Sequence, residues 1–111
     1  MDQRILVVDD DPATLDVLER VLTAEGFFVD RYENSEAALE RLESERYDVL
    51  LTDFLMPVVT GKDLVQAATR LPSSPRCLVM SGMDPDDGLP DDVTWVCKPL
   101  DIDALLRKLS D

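Results

Sequence analysis

Four short apolar runs each end in a polar group suited to a metal ion or a phosphoryl group. Ile5-Leu6-Val7-Val8 ends in Asp9-Asp10-Asp11, and Val49-Leu50-Leu51-Thr52 ends in Asp53, followed by Met56-Pro57 and Gly61. Cys77-Leu78-Val79-Met80 ends in Ser81-Gly82, and residues 93–97 end in Lys98-Pro99. If Asp9, Asp10 and Asp53 lie side by side, carboxylates about 5 Å apart repel by roughly 3 kcal/mol per pair at an effective dielectric of about 20. A cation between them offsets that repulsion and keeps their pKa values from rising. All-oxygen ligands with room for water suit Mg²⁺ or Mn²⁺ better than zinc. Lys98 adds a second positive charge and Ser81 a hydroxyl donor, so the set can surround a phosphoryl group. Asp53 is then the natural nucleophile and an acyl phosphate its product. Asp11 differs from its neighbours, because capping the next helix accounts for it. One cap has no need of Asp9 and Asp10 as well.

Helical patterns must bring these run ends together. Asp11 caps a helix with Pro12 at its first position, and the pattern continues to Gly26. Residues 27–32 alternate and carry Asp30 and Arg31, as an edge strand would. Asn34-Ser35 opens a second helix with Ala37, Ala38 and Leu42 on its apolar side. Thr60 and Asp63 form a capping box for a third, which stops before Pro72. Asp101 begins the last, with Ala104, Leu105 and Leu109 buried. Apolar strands alternating with helices predict an α/β fold with a parallel sheet covered on both faces, and ligand sites at the carboxyl ends of its strands. One crossover is short. Residues 82–92 include Pro85, Gly88 and Pro90, and five of the nine residues 84–92 are acidic. A full helix does not fit there. Asp84 and Pro85 allow a single turn that Gly88 would end.

The chain's 111 residues and 45% apolar content predict one domain, residues 1–111, with a single core. A net charge of −13 disfavours a nucleic-acid partner, whose phosphates would repel it. Only three lysines occur, Lys62, Lys98 and Lys108. There is no 18-residue apolar stretch and no signal-peptide core, so no membrane association is expected and the location should be cytoplasmic. Cys77 and Cys97 are expected as buried free thiols, too far apart along neighbouring strands for a disulfide. The chain has no histidine. Any histidine phosphodonor must therefore be another protein.

Together, Val8-Asp9-Asp10, Asp53 with Met56-Pro57 and Gly61, Ser81-Gly82 and Lys98-Pro99-Leu100 resemble the receiver domain of two-component response regulators, the CheY-like superfamily. The motifs occur in the family's order and span the chain. The resemblance implies a flavodoxin-like (βα)₅ fold, doubly wound, with a parallel five-stranded sheet in order 2-1-3-4-5. It implies a phosphoacceptor signalling domain of a two-component system or phosphorelay. Such a domain is phosphorylated by a histidine kinase or a histidine phosphotransfer protein, catalyses only its own phosphorylation and dephosphorylation, and signals to an output protein the sequence does not name. Asp53 would be the phosphoacceptor. Asp10 would ligate Mg²⁺ directly, Asp9 mainly through water, and the Leu55 backbone carbonyl would be a further ligand, with Mn²⁺ as a substitute. Lys98 would pair with Asp53 and then with the phosphoryl group, and Ser81 would bond a phosphoryl oxygen. Lys98-Pro99 would be a cis peptide. Ser81 and Trp95 would be the switch pair.

The chain also departs from the pattern. The family's fourth helix is degenerate at residues 82–92, so a dimer through that face is not expected and a monomer is. Trp95 stands where relatives carry Tyr or Phe, and packing over apolar surface is the alternative to a switch role. Leu55 and Met83 replace polar residues beside the site, which predicts poor ordering of attacking water and a long-lived phosphoryl group. The first helix has an apolar arc of about 180°, from Ala24 through Val17, Val21, Leu18 and Leu22 to Leu15, where a surface helix needs about 100°. The surplus edge could dock a phosphodonor. The chain ends after the last helix, so no output domain is expected, and it could be a free-standing regulator or a receiver from a hybrid kinase. The alternative function is a pseudo-receiver, a binding module independent of phosphorylation. A phosphotransferase or phosphatase of separate substrates is least favoured, since no second acid–base residue is evident.

Overall fold

A computed structural model describes residues 3–82, 89–90 and 92–110. Five strands alternate with helices: β1 (Arg4–Val8), α1 (Pro12–Ala24), β2 (Phe28–Tyr32), α2 (Ser35–Ser44), β3 (Val49–Asp53), α3 (Gly61–Thr69), β4 (Arg76–Ser81), β5 (Thr94–Cys97) and α4 (Ile102–Ser110). All neighbouring strands are parallel, in the order β2-β1-β3-β4-β5. This is the flavodoxin-like arrangement. Among the described residues no helix lies between β4 and β5, so α4 takes the place of the family's fifth helix. The single turn expected around Asp84, Pro85 and Gly88, and the residue Met83, lie outside the described residues.

The central strands are apolar on both faces because both faces are covered. Side chains alternate across the sheet. Ile5, Val7, Leu51, Leu78 and Met80 therefore face α1 and α4, meeting Leu15, Leu18, Leu22, Leu105 and Leu109. Leu6, Val8, Leu50 and Val79 face α2 and α3, meeting Ala38, Leu42, Leu64, Val65 and Ala68. Each fully buried leucine contributes on the order of 2 kcal/mol relative to exposure. The edge strands are less apolar. β2 carries Asp30, which accepts a hydrogen bond from the Tyr47 hydroxyl (2.6 Å) and pairs with Arg4 (3.5 Å).

Edge position also corrects one expectation. Cys77 is buried, but Cys97 is exposed. On β5 Val96 faces α1 and α4, so Cys97 falls on the opposite face with Trp95, at the last position of an edge strand, where it is exposed. Ser81 pairs with Cys97 in the sheet, which sets Cys77 four residues below it, about 13 Å away at the strand rise. Both thiols are free.

The helix starts follow their capping residues. Asp11 accepts from Ala13 N–H (3.2 Å) and from the Thr14 hydroxyl (2.8 Å), with Pro12 at the first helical position. Thr60 and Asp63 form the reciprocal capping box of α3, at 3.0 and 3.2 Å. Leu15, Leu18 and Leu22 make the buried face of α1. Val17 is 46% exposed and Ala24 is exposed, so the surplus edge of the apolar arc faces solvent.

Candidate functional site

Strand register brings the polar termini to one end of the sheet. Val8 pairs with Thr52, which sets Asp9 level with Asp53. Asp53 pairs with Met80, which places Ser81 one residue further along, and Ser81 pairs with Cys97, next to Lys98. The Lys98 N–H donates to the Ser81 carbonyl at 2.9 Å, and the Lys98–Pro99 peptide is cis.

Asp9, Asp10 and Asp53 each offer a carboxylate oxygen, and these atoms lie within 4.8 Å of one another. Asp9 is completely buried and Asp53 nearly so, while Asp10 is exposed. The Lys98 ammonium bridges two of them, at 2.9 Å from Asp53 Oδ1 and 3.3 Å from Asp9 Oδ2. Asp53 Oδ1 also accepts from the Phe54 N–H at 3.1 Å, and Asp9 Oδ1 accepts from the Asp11 N–H at 2.9 Å. One ammonium therefore balances three carboxylates. Burial pushes the Asp9 carboxyl above its usual range, and the Asp53 charge adds to the rise, against the lowering effects of the Asp11 N–H and Lys98. Burial lowers the Lys98 pKa, but its bonds and charge pairing with Asp53 and Asp9 outweigh that, and the net shift is upward. Lys98 is thus held charged, and the three carboxylates form a cluster that could hold a cation.

Ser81 is buried beside this cluster. Leu55 is not: its side chain points outward and is 59% exposed. Trp95 pairs with Val79 and packs on the face shared by α2 and α3. Its ring meets that of Phe54 at 5.4 Å between centroids, tilted by 54°. Phe54 is a residue the sequence reading passed over. It binds Asp53 through its N–H and Trp95 through its ring, and its one sequence signal is adjacency to Asp53. Gly61 is a second. A Cβ there would strike the carbonyl oxygen of Asp53 and the Cα of Phe54 at 2.8 Å, so the start of α3 approaches the Asp53 backbone as only glycine allows.

Residues 5–110 match the sequence pattern described as the response regulator receiver domain. The chain belongs to that family. The receiver is 30% identical over 112 residues to the response regulator receiver protein CpdR of Brucella abortus, covering 96% of this chain and 93% of that protein. The chain spans about half the length (48%) of transcriptional activators that it also matches. Among solved structures it resembles the receiver domain of the hybrid histidine kinase CckA, with a TM-score of 0.83, 30% identity and coverage of 96% and 95% of the two chains. It also shares the fold of the receiver domain of the sensor histidine kinase PA1611 from Pseudomonas aeruginosa, which carries a magnesium ion in its active-site cleft. There the TM-score is 0.84 with 24% identity, over 99% of this chain and 96% of that one. Receiver domains are signalling domains, generally not classical enzymes, and interact with histidine kinases or phosphotransfer proteins. Among the described residues no helix is long and apolar enough to cross a membrane.

Proposed function

We propose that this receiver takes a phosphoryl group onto Asp53 from a histidine of another protein, a histidine kinase or phosphotransfer protein, as a single unit acting in the cytoplasm. The observation that carries the proposal is the convergence of Asp9, Asp10 and Asp53 within 4.8 Å, with Lys98 bonded to two of them. The donor set is all oxygen, two groups buried and one exposed to water. That suits a hard divalent cation that keeps part of its hydration, Mg²⁺ or Mn²⁺. Asp9, Asp10 and Asp53 would hold the ion, with the Leu55 carbonyl as a further ligand. The bound ion would supply positive charge for the phosphoryl oxygens.

The chain's own groups do the rest. Lys98 and the Phe54 N–H fix the Asp53 carboxylate, so its attack on phosphorus begins from a set orientation. A P–O bond forms to Asp53 as the P–N bond breaks, and the imidazole nitrogen leaves with the electron pair. Lys98, already charged, remains beside the new phosphoryl group, and the Ser81 hydroxyl donates to one of its oxygens. The receiver itself catalyses this transfer and the later hydrolysis, and has no other substrate. The exposed apolar edge of α1, at Val17, is a candidate surface for the donor. Leu55 brings no polar group with which to order attacking water, so the acyl phosphate is expected to be long-lived. A half-life of seconds would contradict that.

Acetyl phosphate with Mg²⁺, read by intact mass, tests the assignment. Wild type should gain one phosphoryl group, and Asp53→Asn should gain none. No label under any donor would instead indicate a pseudo-receiver, and turnover of free phosphate esters an enzyme.

A further inference from the structure

Val58 combines two features that a fold does not favour. It is the one non-glycine residue among those described with a positive φ, 67°, and its side chain is 78% exposed. A β-branched side chain is strained in the left-handed region, where glycine or asparagine fits at little cost. An exposed valine returns no burial for that strain. The segment is nevertheless held in place. Met56 is buried in the core below it, the Pro57 carbonyl accepts from the Ser35 hydroxyl at 3.1 Å, and the Gly61 N–H is bonded to the Phe54 carbonyl at 2.9 Å. Leu55 and Pro57 are exposed on the same segment, which makes an apolar rim two to five residues past Asp53. Val58 and Pro57 border a cleft of about 310 Å³ shared with Asp10, Glu33 and Glu36.

We propose that Val58 is a specificity-determining contact for the phosphodonor protein, presented on a left-handed backbone so that it enters an apolar patch beside the donor histidine. The inference rests on Asp53 being the phosphoacceptor. The occupant follows from position and charge. Asp10, one of the three clustered carboxylates, lines the same cleft as Val58, so a protein that delivers a phosphohistidine to Asp53 covers this rim. The carboxylates of Asp10, Glu33 and Glu36 call for lysine or arginine flanking the donor's apolar patch.

The test compares wild type with Val58→Asn and Val58→Gly, which both accept a positive φ, and with Val58→Ile, which keeps the apolar branch. The probes are acetyl phosphate with Mg²⁺ and a panel of autophosphorylated histidine kinases and phosphotransfer proteins from the organism that makes the chain. Acetyl phosphate should label all four within about twofold. Transfer from the donor that labels wild type fastest should fall about tenfold in Val58→Asn and Val58→Gly through a higher KM, as loss of one buried valine predicts. Val58→Ile should retain it. Transfer to Val58→Asn at the wild-type rate would overturn the proposal, as would an equal loss with acetyl phosphate, which would mean that loop geometry and not contact is at stake. So would a panel in which no donor labels a wild type that acetyl phosphate does label. A wild-type dimer abolished in Val58→Asn, seen by light scattering, would reassign the rim to self-association. Failure of acetyl phosphate to label wild type would instead sink the Asp53 assignment.

Discussion

Asp9 shows how a carboxylate of the candidate site works against the fold that holds it. Its folded pKa lies above 3.8, chiefly because it is buried. Between 3.8 and that raised value the folded state binds more protons than the unfolded state, so its contribution to stability falls as pH rises through this window and is lowest at neutral pH. Asp9→Asn is therefore expected to raise the melting temperature of the metal-free protein at pH 7. The same change should weaken the thermal shift produced by Mg²⁺, since one ligand is gone. Calorimetry with and without Mg²⁺ checks both, and a lower metal-free melting temperature would contradict the first. Lys98 has the same sign but a window above neutrality: its stabilisation is complete below pH 10.5 and is lost only as pH rises through its elevated folded value. The thiols give a sharper distinction. Cys97 is exposed, while burial pushes the Cys77 pKa up to about 12. A disulfide reagent such as DTNB at pH 8 should titrate one thiol in the native protein, and the second only on unfolding. Two fast thiols would show that β4 is not buried as described.

At the scale of elements, the start of α3 is where fold and site share atoms. Thr60→Ala removes one half of the capping box and should cost about 1 kcal/mol, or about 5 °C in melting temperature for a domain of this size. Labelling of Asp53 should be untouched. Gly61→Ala adds a Cβ that meets the backbone of Asp53 and Phe54, which cannot swing aside as a side chain would. It should cost about 1–3 kcal/mol and also slow labelling by acetyl phosphate. Equal labelling in the two variants would separate α3 from the site. Trp95 offers a reading of β5. Because its ring contacts Phe54, its emission should shift when beryllium fluoride and Mg²⁺ occupy the Asp53 site, and an unchanged spectrum would leave it a packing residue only. The strand ends could be read from sequence because buried parallel strands are continuous apolar runs, so the first polar residue after each run marks an end. Caps could be read because their partners lie two or three residues away. The left-handed Val58, the Phe54–Trp95 contact and the exposure of Cys97 could not, since each depends on neighbours distant in the chain. The same holds for Arg76, whose guanidinium donates to the carbonyls of Lys108 and Leu109 and closes the end of α4 across more than thirty residues.

For the whole molecule the governing quantity is a net charge of −13 on 111 residues. Among the described residues, the ion pairs that oppose it outside the site include pairs at the surface. Arg31 reaches Asp16 at 2.6 Å and Glu19 at 3.4 Å, but the two acids are 64% and 47% exposed. Such pairs contribute little, typically below about 1 kcal/mol, and are themselves screened by salt. Repulsion among the remaining carboxylates is the larger effect, so screening should favour the folded state. Raising NaCl from about 20 mM to about 500 mM shortens the Debye length from roughly 20 Å to about 4 Å and should raise the melting temperature steadily. Mg²⁺ should act differently, with a saturable rise at millimolar concentration from binding at Asp9, Asp10 and Asp53. That second rise should persist in 500 mM NaCl and shrink in Asp53→Asn. Light scattering across the same series should report a monomer throughout, because neither effect needs association. A melting temperature that fell with NaCl would show that surface attraction outweighs repulsion. A Mg²⁺ effect abolished by salt would show that the ion acts on the overall charge and not at the carboxylate cluster.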